Sequence, residues 1–288
     1  MKKVLVVIFV LALLSAFFVF KNKKDKIVVI NNEISSKNED LQKIEMAAAD
    51  EYQEKRNEII SKFKDIKPEQ WSEQVNGVKT SLNTNAKVIA LTFDACGGDG
   101  KNGYDQKLID YLEKEKIPAT LFVGGKWIEN NSQNFEKIAA NKFFEIENHG
   151  YLHVPCSVSG KSAYGIIGER NVGEVVDEIE QNARKIQTLI GRKPIFYRAG
   201  TAFTDDICPQ IASMLNEEVV NYNVLGDAGA TYSANQIVDS LSRAKNGSIA
   251  LLHMNHPEKE TAEGIMRAVP VLRALGFSFV KLEDYQLK

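Results

Sequence analysis

From residue 87 onward short apolar runs alternate with amphipathic stretches. The apolar runs fall at 87–93, 119–124, 143–147, 194–198, 219–225, 248–253 and 277–282. Between most of them, apolar residues recur at helical spacing over 106–116, 134–141, 172–190, 205–215, 234–244 and 261–275. Repeated strand and helix units imply a parallel sheet with right-handed crossovers. About seven such units favour an α/β barrel over an open sheet.

That fold class directs attention to the C-terminal ends of the strands, where barrel chemistry is placed. Asp94 follows Leu91-Thr92-Phe93, His149 follows Phe144-Glu145-Ile146, and Arg198 follows Ile195-Phe196-Tyr197. Asp227 follows Asn223-Val224-Leu225, and His253 closes Ile249-Ala250-Leu251-Leu252. Five chemically able side chains at five strand ends converge on one rim.

The pattern is different before residue 70. Lys2-Lys3 precede an apolar run from Val4 to Phe20 that only Ser15 interrupts, and lysines follow it. The run is long for a cleaved signal and lacks a clean A-x-A site, so residues 1–26 read as a membrane anchor, with a cleaved signal as the alternative. Leu41, Ile44, Ala48, Tyr52, Ile59 and Phe63 then trace a helical stripe, expected to stop at Lys67-Pro68. Such a stalk serves as a spacer or a self-association surface, or packs on its own domain. The chain thus divides into an anchor (1–26), a stalk and linker (27–69) and a barrel domain (70–288). More lysines after the span than before it favour a cytoplasmic body by charge alone. Function argues for a body outside the cell.

Composition narrows the partners. A net charge of −2 with both signs interspersed gives nucleic acid no field to answer, and that class is excluded. Cys96, Cys156 and Cys208 make an odd count without CxxC spacing, so neither a disulfide framework nor a zinc finger is indicated, and any pairing involves only two of them.

All four histidines lie in two clusters, His149/His153 and His253/His256. Two imidazoles at i, i+4, on a helical turn or in a tight loop, can aim at one divalent ion. Asp94 can deprotonate a water that attacks an amide or ester carbonyl, and His253 can protonate the leaving nitrogen. Arg198 can orient Asp94, with Asp227 balancing the arginine. The Arg198-Ala199-Gly200-Thr201 turn can present the Thr201 N–H to an oxyanion. One acid with clustered imidazoles points to a metal-assisted hydrolase.

The set resembles the NodB-homology polysaccharide deacetylases, carbohydrate esterase family four. The matching residues are Thr92-Phe93-Asp94, His149-x-x-x-His153, Tyr197-Arg198-Ala199-Gly200-Thr201, Asp227 and Leu251-Leu252-His253, in the family's order across roughly 70–288. The resemblance implies a distorted (β/α) barrel, a divalent metal such as zinc, with cobalt as an alternative, and removal of N-acetyl groups from amino-sugar polymers of the cell wall. It implies Asp94 as base, His149 and His153 as ligands, and His253 as acid. The chain departs from the family at Ala95, where a second aspartate serves as third ligand. Asp94 itself, water, Asp99 or Cys96 are the candidates to fill that place. The third motif lacks its proline and aromatic residue, and the fourth its tryptophan. A glycan-binding or scaffold module that has lost turnover is the alternative to an enzyme.

Overall fold

The computed structural model describes residues 37, 38, 40, 43, 46, 49–98 and 102–288. The expected membrane segment at residues 4–20 lies outside them. No helix among the described residues is long and apolar enough to cross a membrane. The chain forms two compact units, Met1–Glu58 and Ile59–Lys288. In the first, every described residue is helical and none is buried. In the second, Ile59 and Phe63 are buried.

The larger unit is built on parallel strands β1 (Val88–Ala95), β2 (Ala119–Val123), β3 (Phe144–Asn148), β4 (Phe196–Tyr197), β5 (Glu218–Val219), β6 (Val224–Leu225), β7 (Ser248–His253) and β8 (Ser278–Val280). Their order is β6-β7-β1-β2-β3-β4-β5, with β8 also pairing with β1. One edge of β1 is shared: Val88–Ala90 pair with β8 and Thr92–Ala95 with β2. Helices α1 (Gln106–Lys114), α2 (Gly125–Asn130), α3 (Ser132–Ala140), α4 (Val172–Ile190), α5 (Cys208–Met214), α6 (Ala234–Leu241) and α7 (Thr261–Ala274) connect the strands.

The sheet curls into a half-barrel instead of the closed barrel expected. The run at 219–225, which reads as one strand, forms two. Its first part, in β5, pairs with Phe196–Tyr197, and its last, β6, pairs with Ala250 and Leu251. Between them, the N–H of Val220 bonds to Tyr197, that of Asn221 to Lys79, and that of Asn223 to Ile249. The backbone thus changes partners step by step, and β5 and β6 end the sheet as its two edges.

Alternation along β1 sorts its side chains. Ile89, Leu91, Phe93 and Ala95 pack into the helix-covered layer with Leu108, Leu112, Ile265 and Val269. Val88 and Ala90 face the interior with Phe122, Ile249 and Leu251. Burial on both faces explains why β1 shows no polar alternation until Thr92. Helix α4 begins where Asn171 accepts from the Glu174 N–H and ends at Gly191 in the left-handed region. Helix α2, which opens on glycine and spans less than two turns, has no periodic signal in sequence. A disulfide joins Cys156 and Cys208, and Cys96 is free and buried.

Candidate active site

β1 delivers Asp94 to the rim beside His253, its registered partner on β7. Asp94 is buried, and Arg198 Nη1 donates to its Oδ1 at 2.7 Å and to Thr92 Oγ1 at 2.9 Å. Arg198 also donates to the carbonyls of Val220 and Asn221 and lies 4.1 Å from the Phe122 ring centroid. A fully buried guanidinium is tolerable only with this many acceptors. The expected balancing of Arg198 by Asp227 does not occur. Asp227 instead accepts from the His253 backbone N–H at 2.8 Å and contacts its Nδ1 at 2.9 Å, and Thr261 Oγ1 donates to it at 3.0 Å. Asp227 follows Gly226, two residues past β6, and lies next to His253.

Burial disfavours the His253 imidazolium, but the Asp227 carboxylate and contact with Cys96 override it, and the pKa lies well above the usual imidazole range. For Asp227 burial pushes upward, while the His253 charge and three hydrogen-bond donors carry its pKa below the ordinary carboxylate value. Each partner thus favours the charged form of the other.

His149 and His153 are brought together by a loop, not a helical turn. Their ring centroids lie 4.8 Å apart. Two oxygens of the buried Glu178 side chain collect the N–H groups of Leu152 and His153 at 2.9 Å. Gly150 has φ of +74°, and a Cβ there would lie 2.4 Å from Glu178 Oε1, so only glycine fits between loop and carboxylate. Gly200 is equally constrained, since its Cβ would meet the His153 carbonyl carbon at 2.4 Å. His149 Nδ1 donates to the Arg198 carbonyl at 2.8 Å, which leaves Nε2 as the free lone pair. That Nε2 is 3.5 Å from Asp94 Oδ2 and 3.8 Å from Cys96 Sγ.

Cys96 is the residue that strand alternation adds to the site. β1 runs two residues past Phe93, so Ala95 turns into the helix-covered core and Cys96 follows Thr92 and Asp94 toward the rim. One ligand atom each from Cys96, His149 and His153 lie within 4.8 Å of one another. A tetrahedral zinc with Zn–S of about 2.3 Å and Zn–N of about 2.0 Å sets S and N about 3.5 Å apart, so the 3.8 Å pair fits with a small adjustment. Burial pushes the Cys96 thiol up, but the His153 charge and hydrogen bonds with three histidines hold it well below its ordinary range.

Residues 81–220 match the polysaccharide deacetylase family. That match covers just under half of the chain. It is 26% identical over 210 residues to a bifunctional xylanase/deacetylase of Pseudobutyrivibrio xylanivorans, an alignment that covers 72% of this chain and 32% of that protein. Among solved structures, the family 4 carbohydrate esterase PdaA of Bacillus subtilis superposes with a TM-score of 0.58 at 23% identity, covering 73% of this chain and 84% of that one. A CE4 family pseudoenzyme from Bacillus anthracis superposes with a TM-score of 0.57 at 20% identity, covering 70% and 66%. These likenesses establish the deacetylase fold.

A cavity of about 500 Å³ opens on this domain's rim, lined by Asp94, Cys96, His153, Thr201 and His253. His256 also lines it, from the loop after β7, with Nδ1 3.2 Å from Glu258 Oε1. Thr201 has φ of +68° and Ala202 of +62°, which bends the turn after Gly200 into the cavity wall. Sequence reasoning did not find Glu73, Tyr164 and Tyr222, which line the same cavity. They come from a connector, a short hairpin and the broken run at 219–225, none of which ends a regular strand.

Proposed function

We propose that the chain is a metal-dependent N-deacetylase that hydrolyses the acetamide of N-acetylated amino sugars in a cell-wall glycan. The observation that supports it best is the convergence of Asp94, His253 and the Cys96–His149–His153 group on one cavity large enough for a sugar. Cys96, His149 and His153 would hold a divalent ion, with zinc favoured by the thiolate and cobalt the alternative. When bound there, such an ion polarises a carbonyl and makes water a stronger acid.

The remaining steps belong to the protein. Arg198 holds Asp94 Oδ1, so the carboxylate stays fixed with Oδ2 toward the cavity. Asp94 takes a proton from water as its oxygen bonds to the acetyl carbon. The Thr201 N–H, in the cavity wall, supports the carbonyl oxygen as it gains charge. His253, held as imidazolium by Asp227, gives its proton to nitrogen as the C–N bond breaks. Acetate and a free amine leave.

The second reading, a glycan-binding module without turnover, draws on Ala95 and on the pseudoenzyme among the similar folds. Cys96 weighs against it, because it supplies the ligand that Ala95 lacks. The disulfide between Cys156 and Cys208 supports an oxidising compartment, and so a body outside the membrane that residues 4–20 would anchor.

The test is divalent metal content together with acetate release from chitooligosaccharides and peptidoglycan. Wild type should bind close to one ion and release acetate. Asp94→Asn should keep the metal and lose roughly 10²- to 10⁴-fold in rate. Cys96→Ala should lose the metal. Metal-free wild type with no acetate release, unchanged by Asp94→Asn, would sink the enzyme reading.

A further inference from the structure

Glu73 lies outside both the strand-end site and the matched residues 81–220. The short strand Trp71–Ser72 pairs with Thr204–Asp205 and brings Glu73 to the wall of the catalytic cavity. Asn221 Nδ2 donates to the Glu73 carbonyl and fixes the backbone there. Its side chain accepts from Tyr222 Oη at 2.6 Å and from Tyr164 Oη at 3.3 Å. Its two donors are neutral phenols, so the negative charge remains in the cavity wall.

Tyr164 has its own peculiarity. It is 76% exposed, yet its ring is held edge-on against Phe203 at 5.7 Å and its hydroxyl is tied to Glu73. Phe203 in turn packs on Trp71 at 5.7 Å. An exposed aromatic face that is already fixed loses little entropy on contact with a ligand, and the apolar face of a pyranose is a suitable ligand for it.

We propose that Glu73, Tyr164 and Tyr222 form a sugar subsite that accepts neutral or amino pyranoses and rejects those bearing a carboxylate. Tyr164 stacks on the ring, and Glu73 accepts from sugar hydroxyls or an ammonium while repelling an anion in the same cavity. The substrate class is then N-acetylglucosamine-type glycan, not peptide-free muramic acid glycan with its lactyl carboxylate. This inference rests on the deacetylase reading and narrows it.

The experiment compares kcat/KM for acetate release from chitotetraose and from peptide-free, lactyl-bearing glycan strands. Wild type should prefer chitotetraose by on the order of tenfold or more at low salt, as expected for like-charge juxtaposition. Glu73→Gln should narrow that preference, chiefly by lowering KM for the anionic glycan. Added salt should narrow it in wild type and leave the variant unmoved. Tyr164→Ala should raise KM for both substrates with kcat unchanged. Equal preference in wild type and Glu73→Gln, or a wild-type preference for the lactyl glycan, overturns the subsite.

Absence of acetate from either substrate overturns the deacetylase reading instead. In that case calorimetric binding of the same two glycans decides the subsite on its own. Weaker binding of the anionic glycan, relieved by Glu73→Gln, upholds it, and indifference to the substitution sinks it.

Discussion

Two of the rim's histidines differ in the partner of one ring nitrogen. His149 Nδ1 faces the neutral carbonyl of Arg198, while His253 Nδ1 faces the carboxylate of Asp227. Both are buried or nearly so, and although burial disfavours the charged ring in both, both pKa values are raised, that of His149 by Asp94 and Cys96 and that of His253, further, by Asp227 and Cys96. A carbonyl fixes the tautomer and leaves Nε2 a lone pair, which suits a ligand. A carboxylate secures a proton, which suits an acid. One residue type is thus fitted to two proposed roles by the partner behind it.

The sharpest way to break this contrast is to remove each ring in turn. His149→Ala should abolish metal retention, a loss beyond the roughly 100-fold that an outer partner's removal costs, and turnover should vanish with it. His253→Ala should keep the metal while turnover falls by roughly 10²- to 10⁴-fold, the range of a general acid. Metal analysis beside acetate assays reads both. Loss of metal in the His253 variant would erase the distinction.

Asp227→Asn tests the cause of the difference at smaller scale. The carboxylate raises the His253 pKa, so activity that needs the imidazolium persists above the ordinary imidazole range and falls as pH rises through the elevated value. Without the carboxylate, that alkaline limb should move to lower pH. The stability sign follows the same logic. The His253 contribution is complete below its unfolded pKa and is lost as pH rises through its folded one. The Asp227 contribution is present above its unfolded pKa and is lost as pH falls through its lowered one. Wild type should therefore exceed the variant most in the window between, as chemical denaturation at several pH values will show.

The placement of these side chains was partly legible in sequence, because Asp94, His149, Arg198, Asp227 and His253 each end or follow an apolar run. The strand at 248–253 and the helix at 172–190 were readable to their end residues from apolar spacing. Partner choice was not readable. Whether Asp227 meets Arg198 or His253 depends on where the run at 219–225 breaks, and that is decided by hydrogen bonds to Lys79 and Ile249. Cys96 rather than Ala95 faces His149 and His153 because β1 runs two residues past its apolar pattern. Glu73 carried no signal at all, since its meeting with Tyr222 spans 149 residues and no periodicity. The Cys156–Cys208 pairing likewise depends on tertiary approach across 52 residues.

The smallest effect belongs to the loop that sets His153 opposite His149. Glu178 gathers its N–H groups from within a buried site, where burial raises the carboxyl pKa to about 7 against the donors' pull. Glu178→Gln keeps one acceptor oxygen and loses the other, and since His153 and Leu152 share Oε1, the bond to Oε2 is the one at risk. Loss of a hydrogen bond to a charged group costs about 1.5 to 3 kcal/mol, to be read as a lower denaturation midpoint. His153 would then sample positions off the ligand geometry, and metal affinity should fall by roughly tenfold, the lower end for an outer partner. The His253–Asp227 side meets this loop through Cys96, which hydrogen-bonds to both His153 and His253, while Asp227 keeps its own partners, so the alkaline limb should move far less than in Asp227→Asn. A variant that shifted the limb as far would show that the state of His253 is not set by its Nδ1 partner alone.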